Sequence, residues 1–82
     1  MATEAVPGRL RWRCRRGMKE LDVLLTGWLD RRWAEASAAE RQAFESLLEQ
    51  PDPQLLAWLF GRERPADPAT ADIVDELLGR HR

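Results

Sequence analysis

The sequence has little of what disulfides, metal sites and membrane spans require. It contains one cysteine, Cys14, and one histidine, His81. A single cysteine cannot form an internal disulfide, and a structural zinc site needs about four Cys or His ligands. No apolar run approaches the roughly 20 residues that cross a bilayer, and residues 1–10 lack the apolar region of a secretory signal. We therefore expect a cytoplasmic protein with no metal site and no membrane insertion.

The usual components of a catalytic centre are also missing. His81 lies beside the end of the chain, where a catalytic base would be held poorly, so we interpret Cys14 as a core residue. The five glycines are dispersed, and none of them forms part of a Gly-rich phosphate-binding loop. The sequence thus predicts a protein that is not an enzyme, with no catalytic residues and no cofactor of its own.

The composition is that of a folded domain with a heavily charged surface, since 44% of the residues are hydrophobic and 33% are charged. No run of alternating β-branched residues indicates a strand. We predict an all-α fold, a compact bundle of about five short helices. Residues 1–82 should form a single helical domain, with residues 1–5 flexible and residues 79–82 frayed.

Apolar spacing and turn signals place these helices. The first should run from Val6 to Arg15, and a wide apolar face marks the second as the core helix: Leu21, Leu24, Leu25, Trp28, Leu29 and Trp33. Ser37 followed by Glu40 indicates a capping box at the start of the third. Asp52-Pro53 and Asp67-Pro68 each predict an N-cap before a first-turn proline. The fourth helix carries an apolar face and can end at Gly61; the face comprises Leu55, Leu56, Leu59 and Phe60.

Charge is distributed unevenly along the chain. Residues 9–19 hold five arginines and one lysine with no acid, a local charge of +6, although the net charge is −1. This basic segment contains Trp12 and could grip phosphates and stack a base. The acidic remainder of the molecule would repel a polyanion, so we do not expect a nucleic-acid partner.

The octet RRGMKELD, residues 15–22, is the most specific motif in the chain. It closely resembles the signature of the SdhE family, also called the succinate dehydrogenase assembly factor 2 family, whose RGxxE pattern is met by Arg16, Gly17 and Glu20. Other segments resemble further blocks of the family in order and spacing: Trp12 and Cys14 before the octet, Leu47-Leu48-Glu49, Asp52-Pro53-x-Leu55, Trp58-Leu59 and Pro65-Ala66-Asp67. The resemblance extends from about Leu10 to Leu78.

This resemblance implies a function. Members of the family bind the flavoprotein subunit of succinate dehydrogenase, and in bacteria that of fumarate reductase, and promote covalent attachment of FAD to it. The flavoprotein is thought to form the bond itself. By resemblance, Arg16, Gly17 and Glu20 face the partner, and we add as partner-binding candidates Arg15, Met18, Asp22, Trp12 and Trp58. We expect a monomer. An antitoxin-like protein that neutralises a neighbouring toxin stays open as the alternative.

The octet also has a physical interpretation that does not depend on the family. Gly17 can adopt a positive φ and turn the chain sharply, and Glu20 then lies in the first turn of the core helix. Arg16 and Glu20 would flank the glycine as an exposed cation and anion. The alternative is that Gly17 only stops a helix and Glu20 only offsets the helix dipole. For Trp58, a core role and an interface role stay equally open, whereas Trp28 and Trp33 are expected in the core.

Overall fold

The computed structural model describes residues 6–79, and within that range it contains five α-helices and no strand. The helices are α1 (Gly8–Arg13), α2 (Lys19–Arg32), α3 (Ala38–Leu48), α4 (Asp52–Leu59) and α5 (Pro68–Leu77), with a 3₁₀ turn at Trp33–Glu35. The prediction of an all-α fold with about five helices is confirmed. The segments predicted to be flexible or frayed lie outside the described residues, except for Gly79.

The first helix is shorter than predicted. It begins after Pro7, whose carbonyl accepts hydrogen bonds from the N–H groups of Leu10 and Arg11, and it ends at Arg13. Val6 precedes the helix and packs against the core from an extended segment. Leu10 and Cys14 are fully buried, so the interpretation of Cys14 as a core residue is confirmed.

Helix α2 supplies the centre of the core, as its apolar spacing predicts. Its buried side chains are Leu21, Leu25, Trp28 and Leu29, and Trp33 continues the same face into the 3₁₀ turn. The Trp28 ring stacks on Phe44 of α3, with 4.5 Å between the ring centroids. Its Nε1–H donates to Glu76 Oε1 of α5 at 2.9 Å, so one side chain joins three helices.

Two of the predicted helix starts are confirmed and one is wrong. Ser37 and Glu40 form the reciprocal capping box, and the Asp67 side chain accepts from the N–H of Thr70. Asp52 does not cap α4: the helix begins one residue earlier, with Pro51 at the N-cap, and Asp52 lies in the first turn. Its carboxylate is therefore free to bind elsewhere.

The end of α4 also differs from the prediction. Gly61 has a φ of 80°, which ends the helix in the left-handed conformation as expected. Phe60, predicted on the apolar face, is 56% exposed, because the helix ends at Leu59 and the backbone of Phe60 leaves the helical path. Helix α5 packs against α2, α3 and α4 and closes the core. Among residues 6–79, no helix combines the length and apolar character that a bilayer crossing needs.

Candidate functional site

The octet forms a sharp corner between α1 and α2, and we call residues 15–22 the α1–α2 corner. Gly17 is exposed, has a φ of 85°, and a Cβ placed on it would meet nothing within 4 Å. Only glycine adopts this backbone conformation without strain. The predicted turn is confirmed, and bare backbone faces solvent at its tip.

Two acids of the first turn of α2 have different surroundings. Asp22 Oδ1 accepts the backbone N–H of Arg16 at 2.7 Å and so ties the start of the corner to the helix. Glu20 is exposed and forms no hydrogen bond or ion pair with any residue between 6 and 79. An unpaired carboxylate at a helix N-terminus is favoured by the helix dipole and stays available to an outside donor.

Arg16 does not present an exposed cation, and that expectation is wrong. Its side chain is only 18% exposed, and its guanidinium reaches the turn between α3 and α4. Nη1 donates to Asp52 Oδ1 at 3.1 Å and to the Gln50 carbonyl at 3.5 Å, while Nη2 donates to the Leu48 carbonyl. The physical reason is that the last carbonyls of α3 lack intrahelical partners, and a cation there is favoured by the dipole.

The exposed side chains near Gly17 are mainly apolar or basic. Met18 is 37% exposed, and Trp12 of α1 is 71% exposed. The Arg15 guanidinium lies over the Trp12 ring, 5.7 Å from its centroid, a distance at which a cation is attracted to the ring face. The structure therefore exposes, along the corner and the adjacent end of α1, an aromatic ring, a cation, bare backbone and an anion.

Trp58 occupies a different part of the molecule. It is half-buried against the core and lines an open cleft of about 260 Å³ with residues of the α4–α5 loop, among them Arg62, Arg64 and Pro65. Asp52, which contacts the corner through Arg16, lies six residues earlier on α4, roughly 9 Å along the helix axis. No hydrogen bond, ion pair or ring contact joins Trp58 to the other candidate residues, all of which lie within residues 6–79.

The basic segment is partly neutralised by the fold. Arg11 pairs with Asp30 of α2 at 2.9 Å, Arg9 with Glu45 of α3 at 4.0 Å, and Arg16 with Asp52. Within residues 6–79, the cations of this segment that form no ion pair are Arg13, Arg15 and Lys19. A high local charge in the sequence thus becomes a smaller cationic surface, which weakens the case for a polyanionic partner.

The chemistry of Cys14 agrees with its place in the core. Burial raises the pKa of the Cys14 thiol to about 11, against the opposing effect of the nearby Arg16 charge. The reactive form of cysteine is the thiolate, so this thiol is inert at neutral pH. Across the described residues, no three His, Cys, Asp or Glu side chains group closely enough to hold a metal ion.

Comparison with known proteins identifies the family. A family model described as flavinator of succinate dehydrogenase matches residues 8–81, which include the whole corner. The chain belongs to this flavinator family. The resemblance inferred from the octet and the later blocks is confirmed.

Individual relatives cover most of the chain. It is 46% identical over 70 residues to the FAD assembly factor SdhE of Aliivibrio fischeri, covering 85% of this chain and 81% of that protein. It is 49% identical over 70 residues to the protein of the same name from Methylococcus capsulatus, covering 85% and 84%. The Shewanella oneidensis protein of that name is 44% identical over 72 residues, covering 88% of each chain. No solved structure gives a significant match to the chain. The family match lends no support to the antitoxin-like alternative.

The sequence did not predict which residues hold the Arg16 side chain at the α1–α2 corner. Leu48, Gln50 and Asp52 bind Arg16, yet they lie 32 to 36 residues away from it along the chain. The one available signal was that the resemblance includes both the octet and the Leu48 and Asp52 blocks. Nothing in either block alone predicts that they meet.

Proposed function

We propose that this chain is an FAD assembly factor that binds the flavoprotein subunit of succinate dehydrogenase and promotes covalent FAD attachment to it. The flavoprotein of fumarate reductase is a second substrate protein in this proposal. The observation that carries it is the family match over residues 8–81, together with a solvent-facing α1–α2 corner at the position of the family signature.

The proposed contact surface has its centre at Gly17. Bare backbone there lets a partner approach closely and hydrogen-bond to the main chain, and the unpaired Glu20 carboxylate accepts from a donor on the flavoprotein. Met18 and Trp12 provide apolar contacts, and Arg15, held over the Trp12 ring, offers a cation to an acid of the partner. Asp22 and Arg16 hold the backbone of the corner in place, through the hydrogen bond between the Arg16 N–H and the Asp22 carboxylate.

The surface must extend beyond the corner. A stable interface takes roughly 800 Å² from each partner, about one-seventh of this chain's 5282 Å². Val23 is 59% exposed and lies one helical turn after Glu20, so it continues the surface along α2. Trp58 joins the interface only if the partner also reaches the cleft at the far end of α4.

In this proposal the factor accelerates flavin attachment without forming any bond itself. By binding the flavoprotein it holds the partner's own groups and FAD in a reactive arrangement, and such positioning can lower a barrier substantially. The inert Cys14 thiol fits a chain that supplies no nucleophile. We propose that it acts as a cytoplasmic monomer, with no cofactor of its own and no nucleic-acid partner.

The test is covalent flavin in a strain that lacks this chain. We expect little flavin fluorescence in the denatured flavoprotein subunit, and restoration by the wild-type chain. Glu20→Ala should fail to restore it, whereas Asp72→Ala, which removes an exposed acid of α5, should restore it fully. Normal flavin fluorescence in the deletion strain would refute the proposal.

A further inference from the structure

The Arg16 side chain links two turns that are distant in sequence. Its guanidinium donates to the Leu48 carbonyl at the end of α3, to the Gln50 carbonyl in the following turn and to the Asp52 carboxylate in the first turn of α4. Its backbone N–H donates to Asp22 in the first turn of α2. One residue therefore connects the α1–α2 corner with the α3–α4 turn, through its main chain on one side and its side chain on the other.

We propose that Arg16 is a positioning residue, which fixes the α1–α2 corner through the α3–α4 turn and does not itself touch the partner. The proposal rests on the proposed function, because it concerns how the corner is prepared for docking. It assigns Asp52 a role in partner binding, even though Asp52 lies on a different turn from Gly17 and Glu20.

The contact geometry favours positioning over direct contact. The side chain is 18% exposed, and both terminal nitrogens of the guanidinium already donate to acceptors of this chain. Its Nε is buried without a hydrogen-bond partner, so it faces the protein interior and cannot reach a docked molecule. A partner could recruit this cation only by breaking its existing contacts.

The corner needs such a restraint because of the residue that follows. Gly17 has the widest conformational freedom of any residue, and its neighbours Met18 and Lys19 are exposed and bring no buried side chain to hold the turn. Without the guanidinium contacts, the hydrogen bonds left at the corner are local ones: Arg15 N–H to the Trp12 carbonyl, Arg16 N–H to Asp22, and Asp22 N–H to the Met18 carbonyl. None of them ties the corner to the α3–α4 turn. The relative placement of the Gly17 backbone and the Glu20 carboxylate would then vary, and ordering them on binding would weaken affinity.

The geometry also predicts that lysine cannot replace arginine here. The contacts fan out from one planar group to acceptors on residues 48, 50 and 52. Lysine carries a single ammonium on a flexible stem and cannot span these acceptors in the same way. A side chain that keeps the positive charge but lacks the planar guanidinium should therefore not keep the function.

Substitution of Asp52 separates positioning from direct contact by the sign of its effect. If Arg16 touched the partner, Asp52→Asn would release the guanidinium and leave binding unchanged or stronger. If Arg16 positions the corner, Asp52→Asn loosens it and weakens binding. We expect a loss of roughly two- to fivefold for Asp52→Asn, since the pair is partly exposed. Arg16→Gln and Arg16→Lys should each lose roughly tenfold.

The experiment measures the affinity of the full chain for the purified flavoprotein subunit by calorimetry. Ser37→Ala serves as the control for lost stability, because it removes a helix cap away from the corner. In a Glu20→Ala background, Arg16→Gln should lose less than its tenfold effect, because the placement of Glu20 no longer contributes while that of the Gly17 backbone still does. Unchanged or tighter binding by Asp52→Asn, or full additivity with Glu20→Ala, would overturn the proposal.

A second measurement uses the isolated chain and so does not depend on the partner. Amide hydrogen exchange at residues 17–20 should accelerate in both Arg16→Gln and Asp52→Asn, while the core amides of α2 stay protected. Unchanged exchange at the corner in both variants would overturn the positioning role. If the wild-type chain did not bind the flavoprotein, the proposed function would fail, and the exchange result would still decide the role of Arg16.

Discussion

Substitution of Gly17 tests whether the α1–α2 corner is a contact surface, because the chain contains matched glycines elsewhere. Gly17, Gly61 and Gly79 have φ values of 85°, 80° and 73°, and a Cβ at any of the three meets nothing within 4 Å. Each therefore carries the same backbone requirement with the same open space. Only Gly17 lies in the proposed docking surface.

The cost to folding can be worked out from this geometry. A non-glycine residue in the left-handed region costs about 1–2 kcal/mol, and a domain of this size has roughly 4–12 kcal/mol of stability. Variants that replace Gly17 should therefore stay folded, with Tm lowered by roughly 4–16 °C. Gly17→Arg should nevertheless abolish flavin attachment, because a long side chain stands where the partner's backbone must approach.

The assay pairs thermal unfolding by circular dichroism with covalent flavin in the complemented deletion strain. Gly79→Arg, near the end of the chain, should lose no more stability than Gly17→Arg and keep full flavin attachment, and Gly17→Ala, which adds strain with little bulk, should fall between them in flavin attachment. Gly61→Arg asks separately whether the Trp58 cleft contributes. Full flavin attachment in Gly17→Arg would refute the reasoning. So would an equal loss of flavin attachment in Gly17→Arg and Gly79→Arg when their Tm values are equal.

Three further predictions concern stability, measured by chemical denaturation. Ser37→Ala should cost about 1 kcal/mol by removing the capping box, whereas Ser46→Ala on the exposed side of α3 should cost little. Trp28→Phe should cost about 1–3 kcal/mol more than Trp33→Phe, because it strips Glu76 of a buried donor while the Trp33 Nε1–H has no acceptor to lose. The raised pKa of Cys14, about 11, means that the unfolded chain loses its thiol proton first. Wild type should therefore lose up to roughly 3 kcal/mol between pH 9 and 11 that Cys14→Ala does not lose; identical pH profiles would contradict this.

The parts of the fold that could be predicted from sequence depend on local spacing. The stripe from Leu21 to Trp33, the Ser37–Glu40 capping box and the Asp67-Pro68 start each involve residues within a few turns of one another. The left-handed turn at Gly17 belongs to the same group, since it follows from the residue and its immediate neighbours.

What sequence could not predict depends on contacts between distant segments. Asp52 has every local feature of an N-cap, but α4 begins one residue earlier and the carboxylate binds Arg16 from another turn. The buried Glu76 receives Trp28 and Arg32 of α2, and no spacing rule connects them. Local patterns predicted correctly that Gly17 and Glu20 are exposed. They predicted wrongly that Arg16 is exposed, because its partners lie more than 30 residues away.

The arginine-rich start of the chain is explained better by folding than by nucleic-acid binding. Helix α1 has six residues, which is too short to be stable alone in water, and no disulfide can hold it. Fully buried Leu10 and Cys14 anchor it, while Arg11 and Arg9 pair with acids of α2 and α3. Exposed ion pairs contribute at most about 1 kcal/mol each, so the burial of Leu10 and Cys14 supplies most of the free energy that holds α1 in place. The ion pairs fix the orientation of the helix. Because α1 and Arg16 hold the corner before any partner arrives, less ordering remains to be done on docking. A small domain can in this way hold the proposed contact surface in a defined shape.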